Sequence, residues 1–164
     1  EGRDYQLFSI GGIAVYFIDS KKITKNLDYM DQITDVFEAR DNWLEDAVSK
    51  LALERIANVY IEAIIDIGNT MIDGFVMRDP GSYEDIIDIL VDEQAVPAAF
   101  DADLKLLLTL RRALVRDILD VEDEEVLRVL TQVVPTIKKL RASIEAFVKK
   151  EMGTVVTAFI PEED

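Results

Sequence analysis

The sequence predicts an all-α protein, an antiparallel bundle of about five helices, and three observations support this. Apolar residues recur at helical spacing through most of the chain of 164 residues. Capping and turn residues divide these stretches, and the short links between them favour antiparallel neighbours. No stretch alternates convincingly between apolar and polar residues, as the strands of a sheet would. We therefore expect a single helical domain.

The first two helices are predicted from their caps and their apolar residues. Asp19 is a good N-cap for the first. The second covers about residues 44–77 and carries apolar side chains on most sides, which is typical of the central helix of a bundle. Gly68 interrupts it at a cost of about 1 kcal/mol relative to Ala, which indicates a close approach by another backbone or a distortion. The Asp-Pro-Gly turn at 79–81 ends it.

Three further helices follow. Ser82 is the expected N-cap of a short third helix, and a strongly apolar run over residues 104–119 predicts the fourth. The acidic stretch 120–125 suits the positive N-terminal end of a fifth helix. Pro135 should kink or divide this helix, and Gly153 should end it.

The chain divides into a main domain and two flanking segments. Residues 1–15 are predicted as an N-terminal extension, either processed or added, and otherwise as a loose arm or short strand; its apolar part is too short to span a bilayer. Residues 16–152 form the bundle, and residues 153–164 form a C-terminal tail. The acidic start differs from the basic start of a signal peptide, so we expect a cytoplasmic protein.

The composition excludes several kinds of chemistry. The chain has a formal net charge of -15, no cysteine and no histidine. It therefore lacks disulfides, thiolates, the usual general base at neutral pH and the commonest metal ligand. Its acidity argues against broad nucleic-acid binding, although a local basic patch can still hold one phosphate. We predict no cofactor.

The polar residues of the second helix are spaced three and four apart and form one stripe. The simplest interpretation is a solvated face; the alternative is a face that lines a groove or meets a partner subunit. Two acids of the stripe, Glu62 and Asp66, could also bind Mg²⁺, although the di-iron bundle motif that needs His is absent. The stripe consists of Arg55, Asn58, Glu62, Asp66, Asn69 and Asp73.

Arg111 lies inside the apolar run of the fourth helix. On a wheel of 100° per residue it falls in the middle of an apolar stripe, whereas Arg112 and Arg116 share a different, solvated face. A buried guanidinium needs a carboxylate partner, so we expect Arg111 to be largely buried against Glu62 or Asp66. The alternative is that its aliphatic stem carries the charge to the surface. The apolar stripe consists of Leu104, Leu107, Leu108, Val115 and Ile118.

Four segments, residues 53–56, 61–69, 77–83 and 107–123, resemble in order and spacing the HepT-like family of the HEPN superfamily, in its YutE-like branch. The resemblance covers about residues 16–150. It implies an all-α bundle that dimerises around its active groove. It also implies a metal-independent RNase toxin that is controlled by a nucleotidyltransferase antitoxin.

The family's motif is Arg, four residues, His, one residue, Tyr. Its Arg and His act on the RNA backbone, and the antitoxin modifies its Tyr. The resemblance aligns the motif's Arg with Arg111, but Arg116 stands at the His position, Ile118 at the Tyr position, and Arg112 follows the first Arg. An arginine is already protonated and cannot take a proton from a 2′-hydroxyl. Ile118 has no hydroxyl to modify.

We therefore predict a binding or regulatory protein with a degenerate RNase site, whose ligand is a nucleotidyltransferase-like protein, a nucleotide or a short RNA end. A homodimer is expected because the second helix carries more apolar surface than one short bundle can cover. The alternatives are an active RNase toxin of a toxin–antitoxin pair, with a carboxylate such as Asp117 as base, and a metal- or nucleotide-binding protein built on two acids of the stripe. The catalytic candidates are Arg111, Arg116 and Asp117; the groove and phosphate-binding candidates are Arg55, Arg112, Glu62, Asp66 and Asn69.

Overall fold

The computed structural model describes residues 6–10 and 14–157, and side chains from residue 18 to residue 153. Six α-helices form an antiparallel bundle in this part of the chain, as the sequence predicts. Short 3-10 turns lie at Ala98–Phe100 and Ile118–Asp120. The helices are α1 (Ser20–Glu38), α2 (Ala47–Gly74), α3 (Tyr83–Asp92), α4 (Asp101–Thr109), α5 (Arg111–Val115) and α6 (Asp123–Thr157).

An antiparallel hairpin precedes the bundle, which the absence of a convincing β pattern did not predict. Its strands are β1 (Gln6–Ile10) and β2 (Ala14–Ile18), with Gln6 opposite Ile18. The short-strand alternative for the N-terminal segment therefore agrees with the backbone. Residues 1–5, 11–13 and 158–164 lie outside the described residues, and with them most of the predicted C-terminal tail.

Side-chain caps set where the first helices begin. Asp19 caps α1 as predicted, because its carboxylate accepts the Lys22 backbone N–H at 3.1 Å. The second helix begins three residues later than predicted. Asp46 is its N-cap, and the carboxylate accepts both the backbone N–H and the hydroxyl of Ser49 at 2.8 and 2.9 Å.

The central position predicted for the second helix is confirmed. α2 packs against β2 and all the other helices. Its apolar side chains are buried within the single chain, apart from Ala47, Val48, Leu51 and Ala52 near its start. The residues of the polar stripe are exposed or half-buried, so this side of α2 is available for a site.

Gly68 lies where α3 crosses α2. A Cβ built on Gly68 would collide with the Cγ2 of Ile86 and lie 3.6 Å from Leu90. The predicted close approach is therefore real, but a side chain makes it rather than a backbone. This contact fixes the position of α3, whose first residue, Tyr83, reaches the candidate site.

The predicted helix over 104–119 is divided. The Leu110 N–H bonds to the Leu107 carbonyl at 3.1 Å, a turn tighter than the α-helical one, and α5 then ends at Val115. Because the chain leaves the helix there, Val115 and Ile118 are exposed. Their predicted place on one apolar stripe with Arg111 is wrong.

The last helix runs without division from Asp123 to Thr157. Pro135 does not divide it, and Gly153 does not end it. Pro135 and Thr131 are both exposed. The Thr131 carbonyl, which would otherwise accept an N–H from residue 135, can therefore bond to water.

Candidate functional site

The polar stripe of α2 faces α1 across an open groove with a volume of about 370 Å³. Four of the six stripe residues thus line a groove, which agrees for this part of the stripe with the second of its two interpretations. Val59 and Ala63 contribute apolar surface. The polar lining residues are Asn26 and Tyr29 from α1, and Arg55, Asn58, Glu62 and Asp66 from α2.

Asp66 is held by two residues of α1. Its carboxylate lies 2.8 Å from the Lys22 ammonium and accepts the Asn26 side-chain amide at 2.7 Å. Both of its oxygens therefore have partners in the chain. Arg111 does not contact Asp66.

Glu62 is the acid that pairs with Arg111. The Arg111 Nε donates to Glu62 Oε1 at 2.9 Å, as one of the two expected pairings requires. The Arg111 side chain is 20% exposed and that of Glu62 is 45% exposed. The Arg111 side chain is thus mostly buried, as predicted, whereas its partner Glu62 is exposed.

The face of the Arg111 guanidinium is covered by an aromatic ring rather than by aliphatic side chains alone. Its Cζ lies 4.3 Å from the centroid of the Tyr83 ring, a cation–π contact. Glu62 and Tyr83 together hold the guanidinium at the rim. Glu62 accepts the hydrogen bond of Nε, and no described residue accepts a hydrogen bond from the two terminal nitrogens.

The turn before α3 presents Tyr83 to Arg111. Ser82 caps α3 as predicted, with its hydroxyl accepting the Asp85 N–H at 3.1 Å. The Asp85 carboxylate accepts two guanidinium N–H groups of Arg78 and the Gly81 N–H, all at 2.8 Å. These hydrogen bonds hold the pKa of Asp85 below its ordinary value. The segment 77–83, part of the family resemblance, thus builds the support for Tyr83.

The other two arginines point away from this pair. The Arg112 side chain is 83% exposed, and its Nε donates to Asp117 Oδ2 at 2.8 Å. Arg116 is the exposed C-cap of α5 and forms no hydrogen bond or ion pair with any described side chain. Asn69 lies one helical turn beyond the groove-lining part of α2 and does not line it.

Several residues of the site were not among the candidates. Tyr29 and Asn26 come from α1, whose sequence predicts only a helix with a cap and an apolar side. Tyr83 lies inside a segment of the family resemblance, but its own helix gives no sign of a contact with Arg111. Asn58 was on the stripe; its Oδ1 is buried and has no hydrogen-bond partner among the described residues.

No group of three or more acidic side chains is arranged to hold a metal ion within the described residues. Glu62 and Asp66 each lie against a basic side chain instead. No helix in the same part of the chain is both long and apolar enough to cross a membrane.

Comparison with known proteins identifies relatives of this chain. YutE of Bacillus subtilis (strain 168), a protein provisionally named as an RNase, is 38% identical over 141 residues, which cover 86% of this chain and 97% of YutE. A solved structure of YutE, described as a cytosolic protein of unknown function, matches with a TM-score of 0.81 over 84% of this chain and 96% of that one.

A second solved structure, a toxin–antitoxin with AMP-PNP, matches with a TM-score of 0.59 at 20% identity, over 78% of this chain and 95% of that one. At this identity the match shows a shared fold. The family model described as Ribonuclease HepT-like matches residues 23–144. The chain therefore belongs to the HepT-like family.

Proposed function

We propose that this protein is a HepT-like binding or regulatory protein whose site holds a phosphate-bearing ligand and does not cleave RNA by the family's acid–base route. The proposal rests on the contacts of Arg111 and on the residues at the other two motif positions. Arg111 is kept at the rim of the groove by Glu62 and Tyr83, while Arg116 and Ile118 occupy the two other motif positions and are exposed.

The guanidinium of Arg111 is arranged to receive an anion. Glu62 takes its Nε–H, and Tyr83 covers one face. Its two terminal nitrogens have no acceptor among the described residues. A planar fork of N–H donors held in this way matches the oxygens of a phosphate.

This chain has no side chain at the motif's His position that can act as the general base. The sequence contains no histidine, and Arg116, at the motif's His position, is a permanent cation. The Tyr position holds Ile118, so a nucleotidyltransferase has no hydroxyl to modify there. Any antitoxin of that type would act on this protein by binding alone.

The second candidate function is an active RNase with Asp117 as general base. The provisional naming of YutE as an RNase favours it. Asp117 provides a carboxylate six residues after Arg111. It is partly exposed and accepts a hydrogen bond from Arg112. A carboxylate can act as a general base where its geometry allows.

RNA cleavage in EDTA across pH 6–8 separates the two functions. We expect no cleavage that depends on Arg111, because no group can accept the 2′-hydroxyl proton at the motif position. We also expect Arg111→Ala to weaken binding of a short single-stranded RNA, with Arg128→Ala as the matched control on α6. Cleavage that is lost in both Arg111→Ala and Asp117→Asn would contradict the proposal and establish the second candidate.

The third interpretation was a metal- or nucleotide-binding protein built on Glu62 and Asp66. A metal site on these two acids is disfavoured, because Asp66 already pairs with Lys22 and Glu62 with Arg111. A cytoplasmic location and a homodimer remain part of the proposal.

A further inference from the structure

Two acidic side chains meet where the start of α6 lies against α2. Glu54 is on α2, Asp123 is the first residue of α6, and each is partly buried. Their carboxyl groups lie within hydrogen-bonding reach of each other. An ionised carboxylate only accepts hydrogen bonds, so one of the two acids must carry a proton for a bond between them to form.

Asp123 has a buried oxygen that needs such a proton. Its Oδ1 is shielded from solvent and has no hydrogen-bond donor among the described residues, although buried oxygens are normally hydrogen-bonded. When Glu54 is protonated, its hydroxyl becomes a donor to the Asp123 carboxylate. The partner that this carboxylate lacks in the ionised pair is therefore supplied by the neighbouring acid.

Glu54 is the acid that keeps the proton. α6 begins at Asp123, and the positive end of its dipole favours a negative charge at that position. Burial and the neighbouring Asp123 raise the pKa of Glu54 above its ordinary value. The pair is thus a carboxyl group on α2 that donates to a carboxylate on α6.

No cation neutralises the pair within the described residues. Asp123 is the charged group that acts on Glu54. The nearby charges of α2, of the turn before α6 and of α6 itself form no hydrogen bond or ion pair with either acid, and Arg112 on α5 is bonded to Asp117 instead. These nearby residues are Lys50, Arg55, Asp120, Glu122 and Glu124.

The pair also ties down the segment that follows α5. Apart from it, no side-chain hydrogen bond or ion pair joins residues 118–124 to another helix in the part of the chain that the structure describes. This segment leads from α5, which carries Arg111, to α6, and Val121 packs against the core. Ile118 and Leu119 are exposed. Its attachment to the bundle thus rests largely on Val121 and on the pair of acids.

We propose that one proton shared between Glu54 and Asp123 latches the start of α6 onto α2, and that loss of this proton loosens residues 118–124. When the proton leaves Glu54 for solvent, two carboxylates face each other in partly buried surroundings and repel. An acid whose pKa is raised by folding loses its contribution to stability as the pH rises from its ordinary pKa through the raised one. The latch is therefore closed at low pH and opens as the pH rises, in a chain that has no histidine.

Thermal unfolding of the full chain at pH 5 and pH 7.5 tests the latch. Glu54→Gln keeps the shape of the protonated acid and donates an N–H, so it should unfold about 2–4 °C above wild type at pH 7.5, with a smaller gain at pH 5. Glu93→Gln removes the same charge from an exposed position at the end of α3 and should have the same effect at both pH values. If the two variants show the same pH dependence, the inference is overturned.

Two local measurements place the effect at the pair. In a carbon NMR titration, the Glu54 carboxyl should titrate at a higher pH than an ordinary glutamate, and Asp123→Asn should lower its midpoint because the facing charge is removed. Amide hydrogen exchange of residues 118–126, corrected for the intrinsic effect of pH, should accelerate above that midpoint in wild type and not in Glu54→Gln. Ordinary titration of Glu54, or exchange in this segment that does not depend on Glu54, overturns the inference.

Discussion

Arg111 shows how one mostly buried cation can be held by a carboxylate and an aromatic ring. Its charge is met by Glu62 at 2.9 Å and by the ring of Tyr83 at 4.3 Å. Asp66, one helical turn from Glu62, is already occupied by Lys22 and Asn26. Glu62 and Asp66 therefore each have their own cation, Arg111 and Lys22.

Arg111→Met should lower the free energy of unfolding by about 1–2 kcal/mol. A partly exposed ion pair contributes up to about 1 kcal/mol and the cation–π contact about as much again. This is less than the about 3–5 kcal/mol of a fully buried pair, because the pair is partly solvated. Urea unfolding of Arg112→Met and Arg116→Met provides the controls, which should change stability by less than about 0.5 kcal/mol. If all three variants fall within that range, the contacts of Arg111 are not stabilising.

At the level of whole elements, two irregularities place the site. The tight turn at Leu110 places α5 so that Arg111 contacts Glu62. Because α5 ends at Val115, the residues that follow leave the helix. The turn held by Asp85 brings Tyr83 to the other face of the same guanidinium. The position of Tyr83 also depends on how closely α3 lies against α2, which Gly68 permits.

Gly68→Ala should destabilise the protein by up to about 2 kcal/mol. The added methyl group collides with Ile86, and overpacking of this kind costs about 1–3 kcal/mol, of which the better helix propensity of Ala returns about 1. Gly153→Ala is the matched control, because no atom lies within 4 Å of the Cβ it would add. It should leave stability unchanged or raise it.

The Gly68 prediction has an internal check. If the collision is the cause, Ile86→Ala should make the added cost of Gly68→Ala much smaller in a double-mutant cycle. A Gly68→Ala variant as stable as Gly153→Ala would show that α3 can shift at no cost.

At the scale of the whole molecule, ion pairs hold the outer helices of this acidic chain together. Arg141 on α6 bonds to Asp28 and Asp31 on α1 and to Glu145 on its own helix, at 2.6–2.9 Å. Burial lowers the pKa of Arg141, but the hydrogen bonds to Asp28, Glu145 and Asp31 outweigh it and raise the pKa overall. This clamp keeps α1, one wall of the groove, in place.

The reason given for a homodimer does not hold, since α2 buries nearly all its apolar side chains within one chain. A different surface now supports the dimer. Val115, Ile118 and Leu119 follow Arg111 closely, and Ile118 and Leu119 are 65% and 95% exposed. An apolar cluster left open beside a functional site is a candidate for contact with a second copy.

Light scattering at micromolar concentration should give twice the mass of one chain. Leu119→Asp should shift the protein towards the monomer, because it places a charge in the proposed contact. Val36→Asp, at another exposed apolar residue, on α1, should not. A wild-type protein with the mass of one chain would exclude the dimer, and a dimer unaffected by Leu119→Asp would exclude this surface.

The sequence by itself determined the helical class, the central place of α2, the caps at Asp19 and Ser82, and the absence of histidine chemistry. Each of these is local, since helical periodicity and capping involve residues a few positions apart. The candidate site was predicted in part: Arg111 and Glu62 were named, and Tyr29 and Tyr83 were missed. The sequences of α1 and α3 predict caps and apolar sides, but they do not indicate that either tyrosine lies near Arg111 or the groove.

Only the tertiary structure decided which acid Arg111 takes. Glu62 and Asp66 lie four residues apart on one stripe, so the pattern of α2 makes them equivalent partners. The choice follows from where α1 places Lys22 and where the turn at Leu110 places α5. These positions depend on packing between residues far apart in the chain, which a local pattern does not contain.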